Sequence, residues 1–353
     1  MKTISCNAPY GNGGLGRHLE ELVEDARTAG TLAKYYTTRP KAGDPAGVPV
    51  NDPWAPRLSR WTPIRFSHGW RAYLGFDRFD RAVGLTIEPA ESHIGFSLQS
   101  LHTFRAARTA GCQRLELVSP TSHIDAVWKR HQAACRAYPI ERTWLNERQR
   151  RKALLEYEAA DKIIIATDYA RDSFLEQGFP IEKLSRFDLT AAQRFRPADD
   201  PPPRDDIFRA VYVGSLSVNK GVPLLLTAFS SFTPRQAELT LVGGWGSRGM
   251  RRYLAECCAR DPRIRIAPGD PLPHLQRADV YIHPSYEDGW AYAAVEALAC
   301  GVPAVVTEDT GAKELIVDGV NGLVIPTGSP EAITEALNMF YFRSAGSDTR
   351  QPT

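Results

Sequence analysis

YEDGWAYAAVEALACGVP, residues 286–303, sets an acidic turn against the start of an apolar helix and carries a second carboxylate, Glu296, two turns further on. Immediately before it, ADVYIHPS (residues 278–285) is rich in branched and aromatic side chains and ends in Pro284 and Ser285, the pattern of a short strand. A strand therefore delivers the chain to the turn. Asp288 is placed to cap the helix that follows, Ala, Val and Leu fill its apolar face, and Gly301 with Pro303 stops it. At about 1.5 Å per residue, the step from Asp288 to Glu296 spans about 12 Å and returns to nearly the same helical face. Two carboxylates so spaced suit one elongated ligand. The backbone amides of Gly289, Trp290 and Ala291, with the positive end of the helix dipole, suit a phosphate or a developing negative charge. The plainer reading leaves Asp288 as a cap and Glu296 as an ordinary helix residue.

The same grammar recurs elsewhere. Residues 3–10 read as a strand, followed by GNGGLGRHLEELVEDA, in which Gly11, Gly13, Gly14 and Gly16 precede an amphipathic helix. Glycines there let the backbone approach a ligand and aim amides at an anion, although a tight turn explains them almost as well. FRAVYVGSLSVNKGVPLLLTAF, residues 208–229, is a buried strand, a turn with Gly214, Ser215, Asn219, Lys220 and Gly221, then an apolar helix. A lysine just before a helix is well placed to neutralise a diphosphate without a metal, whereas most lysines are simply exposed. Residues 115–125, LELVSPTSHID, read as a strand ending at His123. A lone histidine is more often structural than catalytic, but the end of a strand is where ligands of open α/β sheets bind. His68, His93 and His102 carry no assignment.

The chain of 353 residues is long enough for two domains with separate cores. PADDPPPRDD, residues 197–206, can continue neither a helix nor a central strand, and it separates two series of alternating strands and helices. The expected architecture is α/β, with two facing Rossmann-like, doubly wound halves and the ligand at the carboxyl ends of the strands. The domains run 1–198 and 207–341, joined by a linker at 199–206 and followed by a polar, unstructured tail at 342–353. Strands of the second half are expected near Ala210, Leu239, Ile264, Tyr281 and Ala304.

Lys and Arg number 43 against 41 acidic residues, a balance that argues against a dedicated nucleic-acid binder. Residues 128–152 are locally basic, with Lys129, Arg130, Arg136, Arg142, Arg148, Arg150, Arg151 and Lys152 among Trp128, Tyr138 and Trp144. They read as a solvated helical surface, or more sharply as a patch that docks on anionic lipid headgroups. The six cysteines show no Cys-x-x-Cys spacing, so reduced and mostly buried thiols and no metal site are expected. Neither a signal segment nor an apolar run of membrane-spanning length is present in this sequence, which points to the cytoplasm, with the inner membrane face as a docking place.

DGWAYAAVEALACGVP resembles the E-x7-E signature of retaining glycosyltransferases of family 4: an acidic residue, Gly, an aromatic, apolar residues, then Glu-Ala-x-Ala-Cys-Gly-x-Pro. GSLSVNKG, the Gly-rich N-terminal turn, and LEYEAADKIIIATDYARDSFLEQG (residues 155–178) match further parts of the pattern. The resemblance implies the GT-B fold and transfer of a sugar from a UDP- or GDP-sugar to an acceptor hydroxyl, with retention of configuration and without a metal or other cofactor. Glycan, polysaccharide or glycolipid synthesis would be the setting, with a glycan or lipid-linked acceptor on the first domain and the donor on the second. It implies Lys220 on the leaving diphosphate, Asp288 or Glu287 at the donor sugar, Glu296 on the ribose, and Gly14 and Gly16 facing the phosphates. Gly214, Ser215, Asn219, Gly289, Trp290 and Ala291 complete the donor site, and His123 faces the cleft. The sequence departs from the pattern where Ser215 and Asn219 stand in place of an arginine, where SRFDLTAAQRFRP lacks Gly-Val-Asp, and where the C-terminal crossing helix is missing. These departures define the alternative of a truncated, non-catalytic nucleotide-sugar or partner-binding homologue. A nucleotide-sugar epimerase of the same architecture is the third reading.

Overall fold

A computed structural model of the chain describes residues 1–50, 68–200 and 205–347 and contains two compact α/β units. The first comprises Met1–Trp128 and Thr143–Leu189, the second Lys129–Arg142 and Thr190–Thr353. The partition differs from the sequence-based domains in two ways. The break falls at 189/190 rather than 198, and a piece of the first half, 129–142, belongs to the second unit. Residues 201–204 of the expected linker lie outside the described residues.

In unit 1, β1 (Lys2–Pro9), α1 (Gly13–Thr28), β2 (Leu32–Arg39) and β3 (Gly47–Pro49) are followed by α2 (His68–Thr86), β4 (Ser92–Phe96), α3 (Leu101–Thr109) and β5 (Arg114–Val118). Helix α4 (Ile124–Ala137) begins in this unit, which continues with α5 (Glu147–Ala159), β6 (Lys162–Ile165), α6 (Asp168–Leu175) and β7 (Leu184–Arg186). The strands form a parallel sheet in the order β3-β2-β1-β4-β5-β6-β7. Thr3, Ile4, Ser5 and Cys6 of β1 are all 0% exposed, as expected of a strand covered on both faces. The strand read as ending at His123 stops at Val118, five residues earlier, and His123 directly precedes α4.

Unit 2 runs β8 (Phe208–Val213), α7 (Val222–Ser231), β9 (Ala237–Val242), α8 (Arg248–Arg260), β10 (Ile264–Ala267), α9 (Leu272–Leu275), β11 (Val280–His283), α10 (Tyr292–Ala299) and β12 (Ala304–Thr307), closing with β13 (Gly322–Ile325) and α11 (Pro330–Ser347). Its parallel sheet has the order β10-β9-β8-β11-β12-β13. The five expected strands are all present, and β13 is an addition. The expected tail at 342–353 is corrected as well, since α11 continues through Ser347. No described helix is long and apolar enough to cross a membrane.

The order of this second sheet reverses between β8 and β11. From β8 the chain winds outward through β9 and β10, and from β11 it winds the other way through β12 and β13. The carboxyl ends of β8 and β11 therefore form the switch point of this sheet, the place where ligands of open α/β sheets bind.

Candidate functional site

The loop after β8, residues 214–221, and the loop after β11, residues 284–291, meet at this switch point. Tyr286 N donates to Asn219 O at 3.0 Å, and the Ser285 hydroxyl reaches the same oxygen at 3.4 Å. Gly221 adopts φ +70°, and a Cβ there would stand 1.8 Å from Pro284 O, so only glycine permits this approach. Thr307 Oγ1 donates to Ser285 O at 2.6 Å, and Ser285 Oγ to Glu287 O at 2.7 Å, which fixes the second loop from below.

Lys220 and Asp288, far apart in sequence, form an ion pair of 2.6 Å between Nζ and Oδ2. Lys220 also donates to Glu287 O at 3.4 Å. The same Asp288 oxygen lies 3.2 Å from His283 Nε2, and His283 Nδ1 lies 2.9 Å from the Tyr281 hydroxyl. Asp288 Oδ1 accepts from the Ala291 amide at 3.1 Å. Burial pushes the Asp288 pKa up, but the Lys220 ammonium and the His283 hydrogen bond more than offset this, and the carboxyl is held well below the ordinary carboxylate range. About a fifth of the Asp288 side chain (19%) and a quarter of Lys220 (24%) reach solvent, so the pair is accessible.

This geometry corrects the expected helix start. Helix α10 begins at Tyr292, with Ala291 in its N-cap position at φ +60°, four residues after Asp288. Asp288 and Glu296 thus do not share a helical face, and the Ala291 amide is taken by Asp288 rather than open to an anion. Glu296 sits inside α10 at 0% exposure, and Glu287 is 1% exposed. Trp290 is 7% exposed and therefore a core side chain more than a pocket wall. Gly289 follows Asp288 in the turn and is buried, while on the other loop Gly214 has φ +149° and Ser215 is exposed at the rim.

The remaining expected residues lie in unit 1. Gly16 is buried where a Cβ would come within 2.1 Å of Pro9 O, so close packing of α1 on the end of β1 accounts for it, while Gly14 is exposed. His123, 1% exposed, packs against Tyr157, Phe174 and Phe179 with ring centroids 5.1–5.5 Å away. Burial lowers its pKa to about 4, and Nδ1 accepts from the Asp125 amide at 3.2 Å. This is the environment of a neutral core histidine.

Among the described residues, one cluster has the composition of a metal site, Asp77, Asp80 and His102 in unit 1. The buried Lys152 Nζ lies 3.0 Å from Asp77 and 2.7 Å from Asp80, so an ammonium already supplies the positive charge there. Lys152 is thereby removed from the expected basic surface of residues 128–152. Arg130 is likewise paired with Asp309, and Arg150 with Asp125 and Glu147. The eight cations do not make one solvated face.

The sequence reading missed His283, Tyr281, His131 and Glu141. The period of a strand puts Tyr281 and His283 on the same side of β11, which was a usable signal. Nothing in the local sequence ties His131 or Glu141 to residues 214–291.

Residues 197–343 match the family described as glycosyl transferases group 1. D-inositol 3-phosphate glycosyltransferase of Kribbella flavida is 28% identical over 208 residues, which cover 51% of this chain and 48% of that protein. The chain thus spans about half the length of this curated relative. Among solved structures, sucrose-phosphate synthase from Thermosynechococcus elongatus superposes with a TM-score of 0.73 at 16% identity, covering 98% of this chain and 90% of that one. HepE of Anabaena, in complex with UDP and glucose, gives a TM-score of 0.71 at 17% identity, covering 99% and 92%. These likenesses show the shared fold, GT-B.

Proposed function

We propose that this chain, whose residues 197–343 match the glycosyl transferases group 1 family, is a glycosyltransferase that moves a sugar from a UDP- or GDP-sugar to an acceptor hydroxyl on a glycan or lipid-linked glycan. The observation that carries the reading is the Lys220–Asp288 pair at the switch point, where two loops of unit 2 hold an ammonium at 24% exposure beside a carboxylate. That HepE binds UDP and glucose in a chain of the same fold supports the choice of donor class.

In the proposed reaction the bond between the sugar's anomeric carbon and the diphosphate oxygen breaks, and its electron pair leaves with the diphosphate. The acceptor oxygen bonds to the same carbon, and the acceptor proton passes to a phosphate oxygen on the same face, which preserves configuration. Negative charge grows on the diphosphate as the bond breaks, and an ammonium already in place stabilises it more in the transition state than in the ground state. Lys220 supplies that charge, so the leaving group needs no metal. Asp288, held by His283 and the Ala291 amide, keeps Lys220 aimed when no anion is bound and then orients the sugar. Glu296 is assigned to the ribose by the family resemblance. It is 0% exposed within α10.

Calorimetric titration with UDP and GDP, followed by nucleotide release from a panel of UDP- and GDP-sugars, tests the reading. Wild type is expected to bind one nucleotide and release it from one donor. Lys220→Met is expected to lower release by about 100-fold or more, the scale of losing one transition-state charge contact. Glu296→Ala is expected to weaken nucleotide binding. Binding without release from any donor, acceptors included, would leave a nucleotide-binding protein without transfer, and no binding at all would refute the site.

A further inference from the structure

Unit 2 contains one segment from outside its own stretch of sequence, Lys129–Arg142, and this segment reaches both loops of the site. Glu141 Oε1 accepts from the Val218 amide at 2.7 Å, two residues before Lys220. Its other oxygen accepts from the Ser247 hydroxyl at 2.6 Å, and Ser247 in turn caps α8 by accepting from the Met250 amide at 3.0 Å. A Cβ on Gly249 would fall 2.1 Å from Ile140 O, so the segment's backbone runs directly against the start of α8.

At the segment's other end, Arg130 Nη2 pairs with Asp309 Oδ1 at 2.5 Å. The Asp309 backbone oxygen accepts from the Asp288 amide at 3.2 Å, and the Gly311 amide donates to Asp288 O at 2.8 Å. Between these two anchors His131, 3% exposed, lies near enough to Lys220 and Asp288 for their charges to act on it. Burial, with a smaller contribution from Lys220, lowers its pKa to about 3, so it adds no positive charge beside Lys220. Ala134 is 0% exposed in the unit 2 core, and Tyr138 and Ile140 pack on that core.

Val218 is 0% exposed and lies in a turn, outside any strand ladder. Its amide needs an acceptor, and a buried one left without a partner costs more than the bond contributes when made. Glu141 meets that need with a charged acceptor, which also makes the bond stronger than a neutral one.

We propose that residues 129–142 act as a positioning strap for the phosphate-binding loops, with Glu141 fixing the loop of Lys220 and Arg130 fixing the turn of Asp288. The inference rests on the donor-site reading given above. Glu141 and Arg130 are positioning residues. They act through Val218 and Asp309, and neither needs to touch the ligand.

The experiment is calorimetric titration with UDP and GDP at 25 °C, run on wild type, Glu141→Ala, Glu141→Gln, Arg130→Met, Lys220→Met and Ile333→Ala. Glutamine keeps a carbonyl oxygen for the Val218 amide and presents its NH2 to the Ser247 oxygen. Ile333, 1% exposed in α11, is a core residue outside the sequence of both loops, and its truncation costs stability. Glu141→Ala is expected to raise the dissociation constant of the preferred nucleotide about 10-fold, with Glu141→Gln within about threefold of wild type and Ile333→Ala unchanged. Arg130→Met is expected to raise it about threefold or more, and it carries the test if Glu141→Ala does not fold.

Wild-type affinity in Glu141→Ala and Arg130→Met, with weakened binding in Lys220→Met, would overturn the strap and leave the site standing. An equal loss in Ile333→Ala would overturn the strap too, because general softening would then explain the effect. Wild-type affinity in Lys220→Met, or no nucleotide binding by wild type, would overturn the donor site and the strap with it.

Discussion

Asp288 divides its carboxylate between three donors: one oxygen for Lys220 and His283, the other for the Ala291 amide. The sequence identified it as an acidic residue at a helix start, and it does bind an amide there, but from outside the helix rather than from the cap position. That difference passes to Ala291, which takes the N-cap position in the left-handed region at φ +60° and ψ +63°. An L-residue there is strained by roughly 1–2 kcal/mol, and a β-branched one by more. Its methyl is buried at 4% exposure, however, and such a group contributes about 0.8 kcal/mol. Ala291→Gly should therefore change stability by less than about 1 kcal/mol, while Ala291→Val should lose about 2 kcal/mol or more. Urea denaturation midpoints of the two variants check this, and a tolerated valine would mean that the left-handed turn is absent. Lys220, Asp288 and the glycines were legible in the sequence because each belongs to a short motif. His283 was not, since its relation to Asp288 depends on how the β11 loop folds back.

The loops after β8 and β11 are held together largely by backbone, and Gly221 is the point of closest approach. With φ +70° and Pro284 O only 1.8 Å from where a Cβ would lie, Gly221→Ala has to separate the loops or distort α7. A destabilisation of about 2 kcal/mol or more is expected, with a loss of nucleotide affinity larger than any other glycine-to-alanine change in unit 2 produces. Gly269→Ala is the comparison, because it too has positive φ, +113°, yet meets nothing within 4 Å. Denaturant midpoints and nucleotide titrations on both variants give the measurement. Element types were legible wherever strand and helix periods alternated. The ends were not: β5 stops at Val118 and α10 starts at Tyr292 because turns take over where local pattern still permits the regular element.

At the scale of the whole molecule, the buried histidines His18, His93, His123 and His131 contribute to the response to acid. Burial lowers the pKa of His18, His93 and His131 to about 3 and of His123 to about 4, from an ordinary 6.5. Below pH 6.5 the unfolded chain binds protons that the folded chain refuses. The stability these groups contribute is therefore full above pH 6.5 and is lost as pH falls toward 3. Glu156, pushed up to about 8 by burial, works in the opposite sense, gaining folded-state protons as pH falls. Its carboxylate accepts the amides of Ser100 at 2.8 Å and Leu101 at 3.1 Å, bonds that favour the ionised form, yet burial outweighs them. Lowering the pH from 7.5 to 5.5 should cost about 1 kcal/mol per histidine, less that offset, and so should lower the urea midpoint. An unchanged or higher midpoint at pH 5.5 would contradict this. Alternating strand and helix patterns determined two parallel α/β units, and the turn motifs determined which two loops form the candidate site, because both follow from local periodicity and backbone stereochemistry. The tertiary structure alone decided that Lys220 and Asp288 pair, that His283 stands behind them, and that residues 129–142 belong to the second unit. The pairs Lys220–Asp288, Glu141–Val218 and Arg130–Asp309 join positions 68, 77 and 179 residues apart, and local sequence carries no record of which distant surface will bury a given side chain.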